Sequence, residues 1–232
     1  MNRVVAAARL HLVNPLQTIG IPWGIALLSF AINLPVWAFT AASEQPHGGF
    51  TGGVVSLYIT VLVVYVQSVT QVLPFAMGMS LTRRTFWLGT VFVALVQALL
   101  YGLVLSILTE VEDATGGWGV RLAFWSPGPF DVDDPVLQVV VSGAPMLAAA
   151  FLGVAIGVVA KRWGPAGLWS LAVATIVLLG GLAILISWRH AWDDLGTWLV
   201  AQSIVTLAVA IPAVLALATA ALSFAGLRRV VP

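Results

Sequence analysis

Cysteine is absent from the chain, so no disulfide, thiolate metal site or cysteine nucleophile is available to it. Charge is nearly as scarce. Only 8% of residues are Asp, Glu, Lys or Arg, against roughly 25% in a soluble domain. With 60% hydrophobic residues and a mean hydropathy of +1.04, the solvent for most of the chain must be lipid. Lysine occurs once, at Lys161, and is followed by arginine. No Gly-x-x-x-x-Gly-Lys-Ser/Thr loop is therefore present, and the chain does not cradle ATP by that route. No ionisable side chain lies deep in any apolar run. That disfavours ion-coupled transport and intramembrane metal or acid proteolysis, which place such groups at mid-membrane. The serines of the apolar runs (Ser29, Ser56, Ser68, Ser106, Ser142 and Ser170) have no histidine at the same depth, and a serine without a base is inert. The first apolar run lacks the short core and small-residue cleavage site of a signal peptide.

What is present is a set of charge-free runs. A helix crosses the roughly 30 Å hydrocarbon core in about 20 residues. Runs of that length lie near 19–42, 54–79, 86–109, 136–160, 166–187 and 195–226. They predict an all-α, polytopic fold of six transmembrane helices forming one transmembrane domain over 1–232. Charges sort cleanly if the six alternate. Arg3, Arg9, Arg83, Arg84, Lys161, Arg162, Arg228 and Arg229 fall on one side with no acid among them. Glu44, Glu110, Glu112, Asp113, Asp131, Asp133, Asp134, Asp193 and Asp194 fall on the other, with Arg121 and Arg189. The positive-inside rule then predicts that both termini are cytoplasmic. Trp23 and Trp37 are expected near opposite ends of the first span, and Trp87, Trp163 and Trp188 at other interfaces.

Residues 1–18 read as an interfacial elbow segment that Asn14-Pro15 turns into the first span. The second outer loop, 110–135, is the longest. Its Trp118, Phe124 and Trp125 predict packing on the membrane surface or a cap on the bundle, and Asp131, Asp133 and Asp134 read as a solvated acidic run rather than a cation site. Gly153 and Gly157 form a small-xxx-small pattern for close helix packing. Trp188–Asp194 has room for a short re-entrant helix. Polar, uncharged side chains decorate three spans: Thr60, Gln67 and Gln71 in the second, Gln97 and Tyr101 in the third, Gln202 and Thr206 in the sixth. Amides in lipid need partners, so these faces point inward or at another subunit. They serve interhelical hydrogen bonding, line a pathway or dimer face, or do both.

Between the second and third runs lies a doubly basic knot, Leu73–Gly89. Ser80, Leu81, Thr82, Arg83, Arg84, Thr85, Phe86 and Trp87 make it polar enough to leave the lipid while staying continuous with two spans. Arg83 and Arg84 suit carboxylates on a soluble partner, and Phe86 or Trp87 suits an apolar pocket. The plainer reading is topogenic charge in an inner turn. Gly78, Thr82, Arg83, Arg84, Phe86 and Gly89 resemble the glycine, hydroxyl, Arg-Arg, phenylalanine, glycine pattern of permease subunits of bacterial ABC exporters of the ABC-2 type. The six-span layout with an elbow before the first span is similar too. The long outer loop between spans three and four departs from many members, whose larger outer elements lie between spans five and six.

The resemblance implies a coupling helix over 80–87 that docks on a separate cytoplasmic ATP-binding subunit. ATP and Mg would be bound there, with no cofactor in this chain and no catalytic or metal site. It implies a bacterial plasma membrane location, a homodimer or a heterodimer of permeases, and no nucleic-acid partner. The expected cargo is amphipathic or apolar: a drug, a peptide antibiotic or a lipid. Two rival functions remain. One is a membrane scaffold or assembly protein that uses no ATP. The other is a membrane-embedded enzyme acting on lipids through outer-face residues, for which Asp131, Asp133, Asp134, Asp193 and His190 are the candidates.

Overall fold

The third helix shows how the bundle is built. Along Arg83–Ala114 the buried side is mostly small or polar (Gly89, Thr90, Ala94, Gln97, Gly102, Ser106), with Phe86, Val93 and Leu105 among them, and the outward side is large and apolar (Phe92, Leu99, Leu103, Ile107). That is the reverse of a soluble helix. In lipid, apolar side chains gain nothing by leaving their surroundings, so close packing and hydrogen bonds decide which face turns inward.

A computed structural model describes residues 3–40 and 49–228. Glu44, Arg229, the end of the first apolar run and most of the first outer loop lie outside the described residues, as does the side chain of Arg3. The elements in order are α1 (Arg3–His11), α2 (Leu16–Ala38), α3 (Val55–Gly78), α4 (Arg83–Ala114), α5 (Pro135–Trp188), α6 (Trp192–Ala201) and α7 (Val205–Leu227). A two-residue parallel ladder joins β1 (Gly49–Phe50) to β2 (Leu122–Ala123). The fold is all-α, and five of the helices (α2, α3, α4, α5 and α7) are long and apolar enough to cross a membrane.

Three of the expected spans appear differently. The runs near 136–160 and 166–187 belong to the single 54-residue element α5. A straight helix of that length would extend about 80 Å. It is broken at Gly164, whose φ of 61° and ψ of −154° are open essentially to glycine alone. Gly167 then lies against Val159, and Leu152 and Leu171 share one cavity, so the chain folds back at this point. The run near 195–226 is also split. Gln202 leaves the helix with ψ of 144°, and the Ser203 hydroxyl accepts from the Thr206 N–H at 3.2 Å to start α7. The stretch is longer than one crossing needs, and a hydroxyl able to cap a new helix falls at the break.

The first limb of α5 is the central post. All its buried residues lie between Gln138 and Val158, and it packs on α3, α4 and α7. Small residues set the approach. A Cβ on Gly102 would meet the backbone of Val139 and Gly143, one on Gly153 would meet Leu62 and Tyr65, and one on Gly157 would meet Val66 and Val69. The second limb and α6 have no buried residue at all.

The contacts define two ends. At one, α1, the turn between α3 and α4, the Gly164 turn and the end of α7 come together, carrying Arg9, Arg83, Arg84, Lys161, Arg162 and Arg228. At the other, residues 115–134 cap the bundle. Glu112 organises this cap: its carboxylate accepts from Trp118 Nε1 at 2.8 Å, from the Phe124 N–H at 3.0 Å and from the Trp125 N–H at 3.3 Å. Phe30 inserts among Trp118, Phe124 and Trp125, with ring centroids 5.0–5.4 Å away. Trp23 joins the same cluster through Tyr101 and Trp125.

Replacing Glu112 with Ala strands the Phe124 and Trp125 amides. A loss of about 3 kcal/mol follows from hydrogen bonds to a charged acceptor. The expected result is protease cleavage within 115–134 and a red shift of tryptophan emission, with α3 and α4 still protected. An unchanged cleavage pattern would refute this role for Glu112.

Candidate functional site

The polar side chains converge at the basic end, where the elbow enters the bundle. Helix α1 approaches α4 because Gly89 presents no side chain to Ala7 and Ala8, whose backbone would touch a Cβ there. This close approach carries His11 inside, where it is 7% exposed. Its Nδ1 lies 2.9 Å from the Ser68 hydroxyl and its Nε2 lies 3.0 Å from the Thr90 hydroxyl. Thr90 donates its one proton to the Phe86 carbonyl at 3.0 Å, so it accepts from Nε2–H, and Nδ1 accepts from Ser68. The imidazole also packs on Phe86, with centroids 5.2 Å apart.

The absence of histidine at serine depth is thus corrected: the elbow tucks in and pairs His11 with Ser68. Burial lowers the His11 pKa to about 4 from its ordinary 6.5. Both ring nitrogens are held, one by Ser68 and the other by Thr90, so the imidazole clamps α1 to α3 and α4.

A second cluster lies one layer deeper. The chain enters α2 through a widened turn, Leu16–Gly20, in which the Thr18 carbonyl accepts from Gln97 Nε2 at 3.3 Å and from the Tyr101 hydroxyl at 3.4 Å. Tyr65 donates to Gln97 Oε1 at 2.9 Å, and the Thr18 hydroxyl donates back to the His11 carbonyl at 2.8 Å. Gln97 and Tyr101 are therefore buried in interhelical bonding. At the rim, Asn14 Nδ2 donates to Gln17 Oε1 at 3.4 Å, and Gln17 Nε2 donates to Gln67 Oε1. Asn14, Gln17, Gln67 and Gln71 border a cavity of about 220 Å³. Thr60 is half-buried and returns its hydroxyl to the Ser56 carbonyl. Gln202 and Thr206 sit apart, at the break between α6 and α7, bonded to Trp198 and Ser203. Of the seven polar residues singled out in the spans, Gln67 and Gln71 alone border this cavity.

The knot over 80–87 is the end of a turn followed by the first residues of α4, with no helix of its own. Helix α3 ends at Gly78, and Ser80 takes a φ of 60° while the Leu81 N–H returns to the Ala76 carbonyl at 3.2 Å, closing the helix end. Thr82 then caps α4 by accepting from the Thr85 N–H at 3.2 Å. Arg83 through Trp87 form the first residues of α4. Phe86 is 0% exposed, and the half-buried Trp87 packs on Phe224 with centroids 4.8 Å apart. Arg83 donates to the Arg228 carbonyl at 3.4 Å, while Ser80, Thr82 and Arg84 face outward. Leu81 and Thr85 are half-buried.

At the acidic end, Asp134 caps α5 through the N–H groups of Val136 and Leu137 at 2.9 and 3.3 Å. Partial burial and repulsion from Asp113 and Asp133 raise the Asp131 pKa. Among the described residues no group of three or more His, Cys, Asp or Glu is placed to hold a metal ion. No family model, curated protein or solved structure matches the chain.

The His11 clamp predicts a pH response. The folded pKa is below the unfolded one, so docking of α1 is at full strength above about pH 6.5. It weakens as pH falls towards 4, by about 3 kcal/mol in all. Hydrogen exchange over residues 3–11 should quicken across that window, and His11→Phe should remove the dependence. A pH-independent rate in the wild type would contradict the clamp.

Proposed function

We propose that the chain is the permease subunit of an ATP-driven exporter of the ABC-2 type, resident in a bacterial plasma membrane. On this reading each limb of α5 crosses the bilayer, which brings the five apolar helices to six crossings. The basic end, with both termini, faces the cytoplasm. ATP and Mg are bound and ATP is hydrolysed by a separate cytoplasmic subunit. Two permeases, identical or similar, enclose the path, and the unpacked second limb of α5 leaves a face for such a neighbour. The cargo is an amphipathic or apolar molecule.

The observation that carries this reading is the turn between α3 and α4. It presents Ser80, Thr82 and Arg84 to solvent at the basic end, with two spans and the elbow rigidly attached through Phe86 and His11. A docking point needs an exposed polar head and stiff mechanical continuity behind it. Arg84 offers a guanidinium that pairs bidentately with a carboxylate on a partner.

The test is co-purification with a P-loop ATPase encoded beside this chain, and ATP hydrolysis in lipid. Arg83→Glu/Arg84→Glu is expected to lose the complex or uncouple hydrolysis, with Arg84→Glu alone giving most of the effect. Phe86→Ala is expected to act differently, lowering the melting temperature of the isolated chain by opening a core cavity at a cost of about 3–5 kcal/mol. Failure of any ATPase to bind the wild type would overturn the permease reading. A complex indifferent to the charge reversal would move docking away from this turn.

A further inference from the structure

The cavity beside the elbow has features that bonding within the chain leaves over. Its amides form a directional chain, from Asn14 Nδ2 to Gln17 Oε1 and from Gln17 Nε2 to Gln67 Oε1. The chain ends on the Gln67 amide nitrogen, with the Gln71 amide one turn further along α3. Neither amide nitrogen donates to any group among the described residues. Both border the cavity. Gln67 is half-buried and Gln71 exposed at the rim, and carboxamide N–H groups beside a largely apolar lining need acceptors.

The surroundings specify what supplies those acceptors. Among the described residues no Asp, Glu, Lys or Arg lines the wall. An anionic or cationic head would lose its hydration there and meet no counter-charge. His11 and Tyr65 are the only titratable side chains on it, and both already hold hydrogen-bond partners. The volume of about 220 Å³ lies below the roughly 300–1,000 Å³ of a site that swallows a drug-sized ligand whole. At its lip stand Val13 and Phe75, which are 72% and 61% exposed. The site is thus shaped for a small polar head inside and an apolar chain outside.

We propose that the cavity between the elbow and α3 binds the head of a neutral amphiphile: uncharged ester-carbonyl and hydroxyl oxygens accept from Gln67 and Gln71 while the acyl chain lies over Val13 and Phe75. The site stands on the geometry of this chain alone and does not depend on an ATPase. If the permease reading holds, it also names the class of molecule presented to the transporter at its basic end.

Binding of tritiated monoolein to the purified full chain in detergent micelles tests this, with oleate and lysophosphatidylglycerol as charged competitors. Saturable monoolein binding is expected, with both charged amphiphiles at least tenfold weaker. Gln71→Leu should weaken monoolein about fivefold and Gln67→Leu/Gln71→Leu further, as expected for lost hydrogen bonds. The Gln71 side chain bonds to nothing among the described residues, so Gln71→Leu should melt as the wild type does. Leu99→Ala, on the outward face of α4, should bind normally. Non-saturable uptake, equal binding of all three amphiphiles, or unchanged monoolein affinity in the double variant would each overturn the site. No ATPase is present in this experiment, so its outcome is independent of whether one docks on the chain.

Discussion

Inside a bilayer an amide or hydroxyl has no water to turn to, and this chain resolves that constraint by making its polar groups meet one another. The Thr18 carbonyl is the meeting point. Gln97 and Tyr101 of α4 donate to it, and Tyr65 of α3 holds Gln97 in place. One layer out, His11 receives Ser68 of α3 and is itself received by Thr90 of α4. Each such bond contributes only about 0.6–2 kcal/mol in a membrane. The apolar side chains contribute no comparable preference, since lipid suits them as well as protein does. A handful of hydrogen bonds therefore sets the register of the elbow, α2, α3 and α4.

Those bonds form only where backbones come close. Gly89 opposite Ala7 and Ala8 admits α1, and any larger residue would lift His11 away from both hydroxyls. Gly102 and Gly143 bring α4 to the central post, and Gly153 and Gly157 bring α3 to it. The opposite end closes by another means. There one buried carboxylate, Glu112, gathers two backbone amides and an indole, and the aromatic rings of the cap fill the space around it. The basic end is a clamp of small residues and hydroxyls, and the acidic end is an aromatic lid pinned by a single charge.

Much of this layout was legible in the sequence. Charge-free runs located the helices, and Gly153 and Gly157 announced the packing of α3 on α5. The breaks were harder to see. Gly164-Pro165 was readable as a tight turn, yet the helical backbone resumes at once on either side of it. The split at Gln202 lies inside an apolar run without charge, where only Ser203 marks a new helix start. The inward course of the elbow was not readable at all. Residues 1–18 carry basic side chains around the whole wheel, and their depth follows from Gly89, which lies far along the chain. His11 and Thr18 were consequently missed, and with them the partners of Ser68, Gln97 and Tyr101. The knot over 80–87 was found by its polarity, but polarity does not distinguish a free docking helix from a capped helix start. Phe86 is fully buried against the His11 ring, which ties the start of α4 to the bundle.

This distinction changes how force would pass through the chain. Arg84 and Phe86 belong to the same first turn of α4, one facing solvent and the other resting on the His11 ring. A partner pulling on Arg84 acts on a rigid helix end, and close-packed side chains pass displacement on rather than absorb it. The displacement reaches His11 first, then Ser68 and the wall of the cavity formed by the elbow and α3. The second limb of α5 has no buried residue to carry it further. On the permease reading, docking at the turn therefore acts first on the polar cavity at the basic end, and the aromatic lid at the far end responds only through the length of α4, whose last turn carries Glu112.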